Sequence, residues 1–174
     1  MNLRFAKLDD AEGLAVVHVA AWRSAYHDIL PADVIEGMAQ RCHGRWIENL
    51  QNNPDRRNLL CEVHGRTVGF ACFGPTRDQD ADCEITAELY ALYVAPEYWN
   101  QGYGRALWLT ALDHARKGEW RDITVWTLEE NARARRFYER AGFRLEIMRK
   151  LVRLGDQPFP EVRYRRLIDR APKA

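Results

Sequence analysis

The stretch from Ile85 to Leu128 constrains this chain more than any other. Ile85 to Val94 reads as a long strand stopped by Pro96. Gly102 and Gly104 follow, and then Leu107, Trp108, Ala111, Leu112 and Ala115 recur on one face of a helix that runs to about Lys117. Ile123-Thr124-Val125-Trp126-Thr127-Leu128 is almost wholly apolar or β-branched, the composition of a strand buried on both sides. Strand, helix and strand in this order predict a right-handed parallel crossover. Such a unit needs cover on both faces, so the fold class is α/β: a mixed sheet with helices on either side.

The flanking elements alternate in keeping with that class. Leu3, Phe5 and Leu8 predict a first strand ending at Asp9-Asp10, and either aspartate can cap a helix in which Leu14, Val17, Ala21 and Ala25 recur. Pro31 closes that helix and opens a second, short one through Met38. A third is predicted from about Arg41 to Leu50, before the turn cluster Asn52-Asn53-Pro54-Asp55. Leu59, Cys61 and Val63, then Val68, Phe70 and Cys72, alternate around His64-Gly65, a hairpin with Gly65 at positive φ. Thr76 to Asp82 is polar and reads as an exposed loop. Asn131 to Ala141 predicts a short helix closed by Gly142 in the left-handed conformation. Two last strands, Phe143 to Leu154 and Glu161 to Ile168, flank the turn Gly155-Asp156-Gln157-Pro158. No internal repeat interrupts the order, and 174 residues suit a single domain, 1–174.

Charge and composition narrow the partners. The 26 basic and 25 acidic residues leave a net charge of +1, which gives no electrostatic reason to expect a nucleic acid. The densest basic cluster, Arg163, Arg165, Arg166, Arg170 and Lys173, reads as a solvated strand edge and tail. Cys42, Cys61, Cys72 and Cys83 form no C-x-x-C pair, and no histidines repeat at metal-ligand spacing. Free thiols acting as small hydrophobes are expected, and no metal. The first residues hold no apolar leader and no run of 18 apolar residues occurs, so the expected location is cytoplasmic, without membrane contact.

The chemistry concentrates between Tyr93 and Leu107. The first N–H groups of a helix have no internal partners, and the helix dipole adds partial positive charge there. Glycines at 102 and 104 therefore make an anion cradle that a bulky diphosphate can approach closely. No Gly-Lys-Ser/Thr follows, so this is not a Walker loop, and the third glycine of the dinucleotide fingerprint is missing. On these residues alone, a plain strand-to-helix turn is the alternative. Read with Glu88-Leu89-Tyr90-Ala91-Leu92-Tyr93-Val94-Ala95-Pro96-Glu97-Tyr98 before it and Asn131-Ala132-Arg133-Ala134-Arg135-Arg136-Phe137-Tyr138-Glu139-Arg140-Ala141-Gly142-Phe143 after it, the segment resembles the GNAT superfamily of N-acetyltransferases. The likeness covers Leu59 to Phe143 well, Leu3 to Ala25 more loosely, and the last thirty residues in outline. Trp99 stands where the family commonly has Arg or Gln, and Asn100 where many members have glycine. Backbone donors, with Arg105 nearby, are left to do most of the pyrophosphate binding.

That resemblance implies a GNAT-like sheet of about seven strands, mostly antiparallel, with acetyl-CoA lying in a splayed central parallel pair. It implies that the backbone of Leu92, Tyr93 and Val94 pairs with the pantetheine arm. Asn100, Gln101, Gly102, Tyr103, Gly104 and Arg105 would hold the pyrophosphate, Asn131 would fix the arm from the opposite side, and Tyr138 would donate to the departing thiolate. An alkylammonium titrates near ~10.4, so a proton must leave the amine before or during attack. Glu88, upstream of the splay, is the candidate base. Taken as residues alone, Glu88 is equally a strand-surface charge, and Tyr138 a core aromatic beside Phe137. Trp22 and Tyr26 either pack or touch the acceptor, because the family's first helix lines that side. Asp78, Asp80, Asp82 and Glu84 are a solvated loop or an attraction for a cationic amine. The expected function is acetylation of a small-molecule primary amine by direct attack in a ternary complex. The alternatives are acetylation of a protein α-amine or lysine side chain, and a non-catalytic acyl-CoA-binding module. A homodimer is common in the family.

Overall fold

The computed structural model describes residues 1–169, so Arg170 and Lys173 of the basic cluster lie outside the described residues. Seven strands form one sheet in the order β1 (Asn2–Phe5), β2 (Arg57–Val63), β3 (Arg66–Pro75), β4 (Thr86–Val94), β5 (Asp122–Leu128), β7 (Gln157–Leu167) and β6 (Arg144–Leu154). Only β4 and β5 are parallel; every other neighbouring pair runs antiparallel. Four α-helices accompany them: α1 (Ala11–Tyr26), α2 (Ala32–Asn52), α3 (Tyr103–Lys117) and α4 (Ala132–Arg140). The mixed sheet expected from the element order, and the mostly antiparallel pairing that the resemblance implies, are the ones observed.

Strand alternation divides the core between two faces. Leu59, Val68, Ala71, Leu89, Ile123 and Val125 pack with Leu107, Trp108, Ala111 and Leu112 of α3 and with Tyr138 of α4. Leu60, Phe70 and Cys72 turn the other way, onto Leu14 and Val17 of α1 and Met38, Cys42 and Trp46 of α2. On that second face, β5, β7 and β6 carry polar side chains instead: Trp126 lies opposite Arg163, and Lys150 opposite Glu161. One face is therefore sealed by α3 and α4, while half of the other is left for charge.

Several elements differ from expectation, each for a physical reason. β1 stops at Phe5, and Leu8–Asp10 is a 3-10 turn. The Asp10 carboxylate accepts both terminal nitrogens of Arg4 (2.7 Å each) and the Lys7 N–H (2.7 Å), so it does not cap α1. The two short helices predicted after Pro31 are one helix. Met38, Cys42 and Trp46, four apart, keep a continuous buried stripe through Gly37 and Gly44, and that burial offsets the roughly 1 kcal/mol each mid-helix glycine costs. β7 begins at Gln157 and includes Pro158 and Pro160. Toward β5 the ladder thins out before Glu161: the Pro160 carbonyl still accepts the Glu129 N–H (2.9 Å), and the Glu129 carbonyl, which a proline cannot serve, accepts Arg135 Nη1 (3.0 Å) instead. In the β2–β3 turn His64 (φ 49°) joins Gly65 (φ 74°) at positive φ. All four cysteines are unpaired; Cys42, Cys61 and Cys72 are buried as expected, but Cys83 is exposed.

The acidic loop and the basic cluster prove to be one network. Arg163, only 3% exposed, donates to Asp80 (2.7 Å twice), Asp78 (3.1 Å) and Glu146. Arg165 donates to Glu146 (2.7 Å) and pairs with Asp122. Neither segment is simply solvated. Among the described residues no helix is long and apolar enough to cross a membrane, and no group of three or more His, Cys, Asp or Glu could hold a metal ion.

Candidate active site

The site begins where the parallel pair ends. β4 and β5 pair only at Thr86–Asp122, Ala87–Ile123 and Glu88–Thr124; beyond Glu88 the strands part. A register shift between Cys72 and Phe73 leaves Tyr90 as an extra residue on β4, a bulge that bends the strand as it leaves its neighbour. The Ala95 N–H bonds to the Val68 carbonyl (2.9 Å), so antiparallel alternation turns the backbone groups of Leu92 and Val94 toward the gap. It turns the backbone of Tyr93 toward β3. Of the three residues expected to pair with a cofactor arm, only Leu92 and Val94 present their main chain, and the Val94 carbonyl already accepts the Trp99 indole N–H (2.6 Å). Tyr93 contributes its hydroxyl instead, which accepts the Trp22 indole N–H (3.0 Å) and meets the Tyr26 hydroxyl (3.3 Å).

A cleft of about 560 Å³ runs from this gap, lined from both faces of the sheet: Ala21, Ala25 and Tyr26 on α1, and residues of α3 and α4 opposite. Leu92, Tyr93, Val94, Asn100, Gly102, Gly104, Arg105, Asn131 and Tyr138 line it, as does Tyr26. Gln101, Tyr103, Trp22 and Glu88 do not. Gln101 bonds back to the Glu97 carbonyl (2.8 Å), Tyr103 packs edge-on against Tyr98 (5.6 Å between ring centres), and Trp22 stands behind Tyr93.

The anion cradle is present. Gly102 (φ 89°) precedes α3, whose first helical bond runs from Ala106 N–H to the Gly102 carbonyl (2.9 Å). The N–H groups of Tyr103, Gly104 and Arg105 therefore have no partner within the helix. Asn100 is also left-handed (φ 59°), which explains an asparagine at a glycine position: it is among the few side chains that tolerate this conformation. Asn131 caps α4 by accepting the Ala134 N–H (3.0 Å), and Gly142 (φ 86°) ends the turn after it.

The cation that Trp99 displaces from the loop comes from another element. The Arg133 guanidinium lies 3.7 Å over the Trp99 ring. Arg133, Arg136 and Arg140, at helical spacing on α4, line the cleft together with Arg105. None of the four makes an ion pair with the described residues. Burial, and then the neighbouring charge of Arg136, lower the Arg133 pKa from its ordinary value. Sequence reasoning named Arg105 but missed the three arginines of α4, although their spacing was in view. On an exposed helix such residues read as solvated charge, and only the position of the cleft gives them a direction.

Tyr138 is both a core aromatic and part of the cleft wall. Its ring packs against Phe137, Phe143 and Tyr164, it is 6% exposed, and it lines the cleft. Burial, with a smaller contribution from Tyr26, pushes its hydroxyl far above the usual tyrosine range, so at neutral pH it is a protonated donor.

Glu88 has a setting that neither reading anticipated. It is 2% exposed, so it is no surface charge. Arg77 holds it through the backbone N–H (3.1 Å) and Nε (3.0 Å) on one oxygen and Nη2 on the other, so it is no unencumbered base. It lines a second pocket of about 430 Å³ with Arg77, Tyr90, Trp126, Lys150 and Glu161. Tyr90 and Trp126 line both cavities, so the pocket and the cleft share a wall at the gap. Glu161, which the sequence reading placed only as the start of a strand, is held only by Lys150 at 3.7 Å, and burial raises its pKa.

Comparison with known proteins agrees with this geometry. The model of the acetyltransferase (GNAT) family matches residues 19–143. An uncharacterized N-acetyltransferase of Bacillus subtilis, YuaI, is 31% identical over 133 residues, 75% of this chain and 73% of that relative. Among solved structures, the PaiA N-acetyltransferase of Thermoplasma acidophilum in complex with coenzyme A superposes with a TM-score of 0.72 at 21% identity, over 93% of this chain and 98% of that one. The YncA acetyltransferase of Salmonella typhimurium with acetyl-CoA gives 0.66 at 23% identity, over 100% and 98%. With the family model matched from the second half of α1 through the cleft, the chain belongs to the acetyltransferase (GNAT) family of N-acetyltransferases.

Proposed function

We propose that the protein transfers the acetyl group of acetyl-CoA to the primary amine of a small molecule, by direct attack within a ternary complex. The observation that carries this reading is the gap between β4 and β5, a cleft that reaches both faces of the sheet. The residues fit the cosubstrate. Three helix N–H groups and four unpaired arginines suit its phosphates. The inward-turned backbone of Leu92 and Val94 suits the amide-bearing arm. The Thermoplasma and Salmonella structures, which hold coenzyme A and acetyl-CoA, support the same choice.

When bound, acetyl-CoA supplies an activated carbonyl and a thiolate leaving group. Tyr138, protonated and facing the cleft, gives that thiolate its proton. The second pocket, open at its rim and sized for a small molecule, holds the amine across the shared wall. Glu161 takes the amine's proton. Burial raises its pKa and only Lys150 pairs with it, at 3.7 Å, whereas both oxygens of Glu88 are held by Arg77. Glu88 in this account fixes Arg77 and keeps the pocket acidic at its floor.

The test is thiol release from acetyl-CoA against a panel of small primary amines and amine-terminated peptides. Release with at least one small amine, and none with peptides, is expected. Turnover of peptides alone would move the acceptor to proteins. Tight acetyl-CoA binding without turnover of any amine would leave a binding module.

A further inference from the structure

The second pocket has a polarity that selects among amines. Its floor is acidic: Glu88 is 2% exposed and the Glu161 side chain 17%. Its rim is basic: the side chains of Arg77 and Lys150 are 62% and 42% exposed. Aromatic faces position both cations. The Arg77 guanidinium lies 4.5 Å from the Tyr90 ring centre, and the Lys150 ammonium 4.0 Å from that of Trp126.

The remaining charges around the pocket are already matched. Asp78 accepts the Trp126 indole N–H (3.0 Å) and a bond from Arg163 (3.1 Å), and Glu88 is held by Arg77. Lys150 and Glu161, by contrast, meet only at 3.7 Å, too far for a full hydrogen bond, so each keeps capacity for a ligand. From this we infer that the acceptor is an amine that also carries an anionic group, of the amino-acid type. Glu161 receives its ammonium on the floor, and Lys150 receives its anionic group at the rim. The arrangement orients the acceptor, because the reverse pose sets ammonium against Lys150 and carboxylate against Glu161. It also rejects polyamines, whose second ammonium would meet Lys150 and Arg77 at the rim.

This inference rests on the acetyl-CoA reading above, and the experiment separates the two. kcat/KM is measured for each common amino acid and for the amine left by its decarboxylation, such as phenylalanine against phenethylamine and lysine against cadaverine. Acetyl-CoA binding is followed by calorimetry on the same protein. For the pair turned over fastest, the carboxylate-bearing member is preferred by about tenfold or more, the scale of one hydrogen bond to a charged group. Lys150→Glu, a change at an exposed edge-strand position, reverses that ranking, and Glu161→Gln lowers kcat/KM for both members. A wild-type enzyme that favours the decarboxylated amines overturns the inference, as does a ranking that Lys150→Glu does not move. Acetyl-CoA binding with no amino acid acetylated overturns the acceptor class alone, whereas failure to bind acetyl-CoA sinks the reading beneath it as well.

Discussion

In the proposed reaction Tyr138 and Glu161 divide the proton traffic between two faces of the sheet, and burial shifts the pKa of each. Tyr138→Phe keeps the ring among Phe137, Phe143 and Tyr164 and removes only the donor. The expected result is a fall in kcat of about 10- to 1,000-fold, within or below the usual range for acid catalysis, with acetyl-CoA affinity nearly unchanged by calorimetry. Glu161→Gln should lower kcat/KM and, at pH 7, raise the melting temperature. The folded-state pKa of Glu161 lies above its ordinary value of 4.5, so the native state gains from the protonated form. That gain is full below the unfolded pKa and is lost as pH rises through the folded one, leaving an ionised, partly buried carboxylate at neutral pH. The stabilising effect of the substitution should therefore vanish on acidification below about pH 4. Tyr138 was legible in the sequence because its helix carries a local motif. Glu161 was not, because nothing near it in the chain says that Lys150 and the end of β5 will enclose it.

At the scale of elements, the entry to α3 holds two glycines for two different reasons. Gly102 is left-handed, with open space where a Cβ would stand, whereas a Cβ at Gly104 would meet Phe137 at an ordinary 3.5 Å. Gly102→Val should cost about 1–2 kcal/mol or more from conformation alone and also weaken acetyl-CoA binding. Gly104→Val should weaken binding with a smaller loss of stability, because its backbone needs no correction. Melting curves beside calorimetry separate the two. The sequence pattern showed that both glycines matter but not that one is a backbone requirement. The crossover from β4 to β5 and the β2–β3 hairpin were legible because their periodicities are local and their ends are marked by Gly or Pro. The continuity of α2 was not, since Gly37 and Gly44 look like breaks until the face they share with Met38, Cys42 and Trp46 is known to be buried.

Across the whole molecule, Arg163 ties the connection between β3 and β4 to the strands on the far side of the gap. Its partners Asp78 and Asp80 lie 85 and 83 residues away in the chain, which is why an acidic loop and a basic tail read as two solvated features. Arg163→Met removes the buried cation of the network and leaves Asp78 and Asp80 without their guanidinium, while Glu146 keeps Arg165. Urea unfolding should show a loss of about 1–3 kcal/mol, the scale of hydrogen bonds between charged groups. It should also loosen Arg77 and Asp78, which border the acceptor pocket, so KM for the amine should rise more than KM for acetyl-CoA. A surface role for Arg163 would leave both nearly unchanged.

The central claim is that the gap between β4 and β5 receives acetyl-CoA, and amide hydrogen exchange with and without saturating acetyl-CoA tests it most directly. The account predicts slowed exchange at Leu92 and Val94 and at Tyr103 to Arg105, with β1 and β2 unchanged. Binding that leaves those amides exchanging as before, or protects a different face of the sheet, would contradict it.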